Sequence, residues 1–322
     1  MFKSLEQMSS GSDLLVKKHV DIIMAISEKP ELSEFSDFYS EEEIAKDIEE
    51  IAKIKKDYAD KIQNEAPEKR QIIENELLKA KAVEVIFTEG VRSQGWFENP
   101  LYSFEAEESS EYDDIINKID VNLGINSKKE ENEQHTVALA IDASTNPNLQ
   151  NLQKKVIGEI QKVLEGRAKN KYARIGREGL VLPVIIGING HNTDSLISLF
   201  SSIISIESKP QIKITSEEKE VLERKKMLAK KHPSQIIFLK EIKSQLKMYA
   251  RLLRDKNSHT NKEYKKEIEA LLIGIDEILD FKKQKEDSDN EQKSLEDDDI
   301  YNLIKYITSE ITETGKIPEI SF

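Results

Sequence analysis

The sequence predicts an α/β protein, a mixed β-sheet core flanked by helices, with helical N- and C-terminal extensions. Three observations carry this. Residues 117–125 and 137–144 alternate apolar with small or polar side chains, the period of half-buried strands. Residues 180–188 form a nearly continuous apolar run, the mark of a strand covered on both faces. That run follows a helical stretch, so a crossover into a partly parallel sheet is expected.

The helices are read from apolar spacing and end signals. Gly11-Ser12-Asp13 is a cap for a helix reaching Ile26, and Pro30 ends it. Ser40 and Glu43 have the spacing of a capping box, in front of a Glu/Lys-laced helix to about Asn64. Pro67 opens the next helix, toward Thr88. Its stripe reads Ile73, Leu77, Ala80, Glu84, Phe87, and this places Glu84 within an apolar face. A carboxylate there needs a partner or a metal.

Gly90 to Pro100 turns the chain into the sheet, with Trp96 and Phe97 as anchors and residues 101–104 as a first short strand. In 117–125, Ile119, Val121, Leu123 and Ile125 share one face, and Lys118, Asp120, Asn122 and Gly124 the other. Residues 128–134 are a polar hairpin loop. In 137–144, Val137, Leu139, Ile141 and Ala143 face one way, and Ala138, Ala140, Asp142 and Ser144 the other. A helix from about Asn148 to Leu164 follows, with Leu149, Leu152, Val156, Ile160 and Val163 as its buried stripe and Lys154 and Lys155 on its shoulders. From Asp194 the chain reads as helices over 194–206, 216–231, 233–254, 261–281 and 298–312. The division expected is a helical extension over 1–70, an α/β core over 71–206, and a helical region over 207–322 with an acidic linker near 283–297.

Composition narrows the function classes. The chain of 322 residues has 61 acidic and 48 basic side chains, a formal charge of -13. That balance argues against indiscriminate binding to nucleic acid or anionic lipid, while leaving room for a local basic channel. Without cysteine, zinc-thiolate sites and a cysteine nucleophile are excluded. The N-terminal residues lack the basic start and apolar run of a signal peptide, so a cytoplasmic location is the expectation. The five histidines show no metal-ligand spacing, and 187–191 lacks the ending of a phosphate loop and reads as a turn.

Two neighbouring strands, each with a carboxylate on the same kind of face, can bring Asp120 and Asp142 to one divalent ion. Asp113 and Asp114 either extend such a site or cap a turn. Lys171, Arg174 and Arg177, or the later cluster Lys225, Lys226, Lys230 and Lys231, are candidates for contacts to backbone phosphates.

The order of helix with an embedded Glu, short strand, two strands with Asp, helix with Lys and apolar strand resembles the PD-(D/E)XK nuclease superfamily core, over roughly residues 72–189. Glu111-Tyr112-Asp113-Asp114, Ile119-Asp120 and Ala140-Ile141-Asp142-Ala143-Ser144 look like bacterial proteins with that core. The resemblance implies a hydrolase of nucleic-acid phosphodiesters using Mg²⁺ or Mn²⁺. Asp120, Asp142 and Glu84 would be its metal ligands, and Lys155 its catalytic lysine, with Lys154 as alternate or nucleic-acid contact. The departure is Ser144, which stands where the superfamily carries its lysine. The alternative is a catalytically degenerate binding or scaffold protein whose helical regions engage partners.

Overall fold

The computed structural model describes residues 16–98, 102–127, 137–145, 148–175, 181–254, 259–283 and 297–318. It is a mixed α/β architecture in which one sheet of four strands, in the order β1-β2-β3-β4, is flanked by helices. The strands are β1 (Tyr102–Glu108), β2 (Val121–Ser127), β3 (Val137–Ser144) and β4 (Val181–Gly187). The first three pair antiparallel, and β4 lies parallel to β3. As the apolar run predicts, β4 is buried along its whole length. The crossover that makes the parallel pair is α4 (Leu149–Leu164), which packs back on β4.

Ahead of the sheet come α1 (16–24), α2 (Glu41–Gln63) and α3 (Pro67–Arg92). The reciprocal capping bonds at Ser40 and Glu43 start α2, and Pro67 is the first residue of α3. The proposed cap of α1 lies outside the described residues, as do the 128–134 loop and 284–296 of the acidic linker. The last turns of α3 sink into the core and pack on β1 and β3. At Gly90 an added Cβ would lie 2.3 Å from the Trp96 ring, so only glycine lets the buried indole lie against α3. That indole donates to the Ala229 carbonyl at 2.8 Å.

After β4 follow α5 (Gly190–Glu207), α6 (Ser216–Lys230), α7 (Ser234–Leu253), α8 (His259–Lys283) and α9 (Asp299–Thr314). Helix α5 begins before the expected Asp194, because Asn189 caps it through the Asn192 amide at 3.0 Å. One continuous apolar core runs from Val20 and Ile23 of α1, through the sheet, to Ile307 and Ile311 of α9. The helices of 207–322 therefore share the sheet's core.

The far edge of the sheet, β4, is closed by side chains from α7. Gln245 accepts from the Ile185 amide at 2.8 Å and donates to the Ile185 carbonyl at 2.6 Å, as a neighbouring strand would. Glu241 accepts from the Gly187 amide at 2.9 Å, and Tyr249 donates to the Pro183 carbonyl at 2.8 Å. Steps of four residues along a helix advance about 6 Å, and steps of two along a strand about 6.6 Å, so the two ladders stay in register. An edge covered in this way cannot pair with another chain.

One sequence expectation about β2 is corrected. Regular pairing begins at Val121, with Asp120 in the bend before it. A short π-helical turn, Asp113–Asn117, ends at Lys118 in the left-handed conformation, φ 61°. That kink interrupts the two-residue alternation. Ile119 consequently lies with Ala138, Ala140 and Val181, while Val121, Leu123 and Ile125 join the main core.

Candidate metal centre

Three elements converge at the start of β2. The Glu84 side chain comes from the buried end of α3, Asp114 from the π-helical turn and Asp120 from the bend that follows. Each has a carboxylate oxygen within 4.8 Å of one from each of the other two. Glu84 and Asp120 are buried, and Asp114 is half-buried.

The chain holds each acid in place differently. Asp120 donates its own amide to the Ile141 carbonyl at 2.7 Å, and its Oδ2 accepts from the Ala143 amide at 2.6 Å. It is thus clamped to β3 on both sides. Asp114 accepts from Lys29 Nζ at 2.7 Å, and Glu84 lies 3.9 Å from the same ammonium. Lys29 is in turn anchored by its neighbours: the Ser27 hydroxyl and Glu28 amide donate to Glu108 at 2.5 and 2.8 Å.

Asp113, next in sequence to Asp114, does different work. It accepts from Ser110, Asn117 and the Lys171 and Tyr172 amides, and it is buried. Of the alternatives left open by the sequence, Asp113 takes the turn cap and Asp114 joins the acidic group.

Asp142 lies on the sheet face it shares with Ala138 and Ala140, turned toward α4, and does not join the group of three. Its Oδ1 accepts from Lys155 Nζ at 2.8 Å. It remains an electrostatic neighbour, because its charge raises the pKa of both Glu84 and Asp120. Ser144 is buried at the end of β3 and stands opposite Gly187.

Electrostatics follow from burial. Removal from water pushes the Glu84 carboxyl up to about 7, with Asp114 adding to the rise and Lys29 opposing it. Burial also raises Asp120 well above the ordinary range, reinforced by Glu84 and Asp142. Asp142 is raised by burial against the pull of Lys155. Burial works to lower Lys29 and Lys155, yet the surrounding carboxylates raise both. Two ammonium groups therefore border three closely spaced acids.

The expected phosphate contacts fall elsewhere. Lys171 pairs with Asp47 and sits about 5 Å from the rings of Tyr39, Tyr112 and Tyr172, at 5.2, 5.0 and 5.2 Å. Arg174 pairs with Glu34, and Glu107 accepts from its amide at 2.8 Å. Both tie the segment after α4 to the N-terminal helices, and their charge is engaged in the fold. Arg177 lies outside the described residues. Lys154 is exposed on the first turns of α4. In the later cluster, Lys226 pairs with Glu207 and Lys230 with Glu98.

Lys29 was invisible in the sequence, since a lysine before Pro30 carries no period or motif that points at a carboxylate 85 residues away. Among the described residues no helix is long and apolar enough to cross a membrane. Comparison with family models, with curated proteins and with solved structures found no match to the chain.

Proposed function

We propose that the chain is a divalent-metal-dependent nuclease acting on phosphodiester bonds of nucleic acid, with Glu84, Asp114 and Asp120 as its metal ligands. The observation that carries this reading is the convergence of these three carboxylates from three separate elements, two of them buried. Isolated buried carboxylates are expensive, and a fold that gathers several without enough cations to neutralise them retains a strong preference for a divalent ion.

The donor set fits Mg²⁺ or Mn²⁺. Both take carboxylate oxygens, and opposite ligands of an octahedral Mg²⁺ are about 4.2 Å apart, close to the 4.8 Å span of the group. When bound, such an ion activates water and stabilises charge on the phosphate. The chain's own residues do the rest. The Ala143 amide fixes the Asp120 carboxylate, Lys155 is held at the border of the site by Asp142, and Lys29 neutralises part of the negative charge. In this reading Lys155 takes the part of the lysine that Ser144 cannot play. Lys154 beside it meets the nucleic-acid backbone, and Asp142, outside the group of three, positions Lys155 in place of the ligand role expected of it.

A second reading rests on Lys29. Its ammonium already sits against Asp114 and Glu84, as an internal counter-ion would, and this favours a binding or scaffold protein that keeps the core without the chemistry. Melting of the full-length protein in EDTA, Mg²⁺ and Mn²⁺ separates the two, on wild type, Asp114→Asn and Asp120→Asn. With metal a hundredfold above its Kd, wild type gains about 2.7 kcal/mol by linkage, and each variant loses most of that gain. Cleavage of end-labelled DNA and RNA follows the same pattern. Identical melting of all three proteins in all conditions, with no cleavage, leaves only the scaffold.

A further inference from the structure

On the Asp142 side of β3 lies a hollow of about 180 Å³, apart from the group of three acids. Its floor is apolar: Ile119, Ala140 and Val181 line it, and they belong to the small cluster set apart from the main core. Lys162, Arg167 and Lys169 also line it, with Glu159 as the acid among them. In a chain of formal charge -13, this concentration of cations stands out.

The size and the chemistry each narrow the occupant. A dry cavity of about 150 Å³ holds a benzene molecule, so 180 Å³ takes one six-membered ring with its substituents and is tight for a fused bicycle. The cations call for an anionic group on the same molecule. Lys162 is already held, donating to the Asn117 carbonyl at 2.8 Å and to Glu159 at 2.7 Å. Among the described residues Arg167 pairs only with Glu165, an exposed neighbour two residues away. Lys169 is exposed and has no hydrogen bond or ion pair among the described residues. The latter two are the cations best placed to turn to a ligand. Glu159 is buried and offers carboxylate oxygens to an exocyclic amine.

We infer that this hollow seats one pyrimidine base of a nucleic-acid strand, with the adjoining phosphate met by Arg167 and Lys169. The inference rests on the nuclease reading for its choice of strand, while the binding it asserts needs no metal. It makes the substrate single-stranded at this point, since a paired base cannot leave its stack to enter a pocket without an unpairing penalty.

The test is calorimetric titration of the full-length protein in EDTA with cytidine 5′-monophosphate, adenosine 5′-monophosphate, cytidine and inorganic phosphate. The pyrimidine nucleotide is expected to bind at least tenfold more tightly than each of the other three. Ala140→Leu, which fills the floor, and the surface double variant Arg167→Glu/Lys169→Glu each reduce that affinity at least tenfold. Should Ala140→Leu lower the melting temperature, the surface double variant decides. No binding of the pyrimidine nucleotide overturns the inference, as does equal binding of bare phosphate or unchanged binding in the double variant. Failure here alongside metal-dependent melting removes the pocket alone. Nucleotide binding without any metal effect supports the pocket and removes the nuclease reading.

Discussion

Glu84 shows how one side chain couples charge to stability. Its carboxyl is held at about 7 against an ordinary 4.5, because burial disfavours the charged form. Between those values the folded state holds a proton that the unfolded chain has released. Stability in EDTA therefore falls as pH climbs from about 4.5 to 7, by about 3 kcal/mol for this group alone. Asp120 and Asp142 are raised too and slope the same way. Glu84→Gln is predicted to flatten the profile without abolishing it, as read by urea unfolding at pH 5 and pH 7.5. Under the metal reading Mg²⁺ reverses the wild-type slope, because the ion binds the carboxylate form. At this scale the sequence was partly legible. Glu84 announced itself by falling on an apolar stripe, whereas the choice between Asp113 and Asp114 depended on which one faced the Lys171 and Tyr172 amides. No local pattern encodes that.

Among the elements, α7 makes the sharpest prediction. Gln245 is buried and satisfies both backbone groups of Ile185, so Gln245→Ala leaves a donor and an acceptor of the β4 edge without partners. The expected loss is about 3 kcal/mol in denaturant unfolding. Glu241 differs. Burial raises its carboxyl well above the ordinary range, and among the described residues Oε1 has no hydrogen-bond partner while Oε2 accepts from Gly187. Glu241→Gln keeps that acceptor and removes the proton uptake that costs stability above the ordinary carboxylate range, so a gain in stability at pH 7 that vanishes near pH 4 is expected in denaturant unfolding. The apolar face of α7, Ile236, Leu239, Ile242, Leu246, Tyr249 and Leu253, follows the helical period of the sequence and is buried. That period does not single out Glu241 and Gln245, because a polar residue inside a helix reads as surface until the strand beside it is known. The start of β2 was placed too early, at residue 117, for a related reason. The left-handed Lys118 shifts the alternation by one, and nothing in the residue types around it requires that conformation.

For the whole molecule, the continuous core carries the consequence. Apolar residues of α7, α8 and α9 are buried in the same cluster as those of β3 and β4, and Asp298 at the start of α9 accepts from the Asn189 amide at 3.0 Å and from the Asn192 side chain at 2.9 Å at the start of α5. A fragment of residues 71–206 would expose the β4 edge and one face of the sheet. It is predicted to melt without cooperativity, and the full chain with a single transition, by calorimetry. Two separate transitions in the full chain, with the fragment retaining one of them, would show instead that the α/β core stands alone.

By itself the sequence determined the elements: the alternating strands, the fully buried β4, the capping box at Ser40 and Glu43, the proline start of α3 and the amphipathic helices all follow from spacing and from end chemistry within a few residues. Only the tertiary structure decided which acids meet. The strand pattern points Asp120 and Asp142 at one ion, yet Asp114 and Lys29 complete the group around Glu84 and Asp120, while Asp142 turns to Lys155. The physical reason is range. Backbone propensity and side-chain period act over one or two turns of chain, whereas a charge cluster is assembled by segments whose approach is fixed by the packing of everything between them.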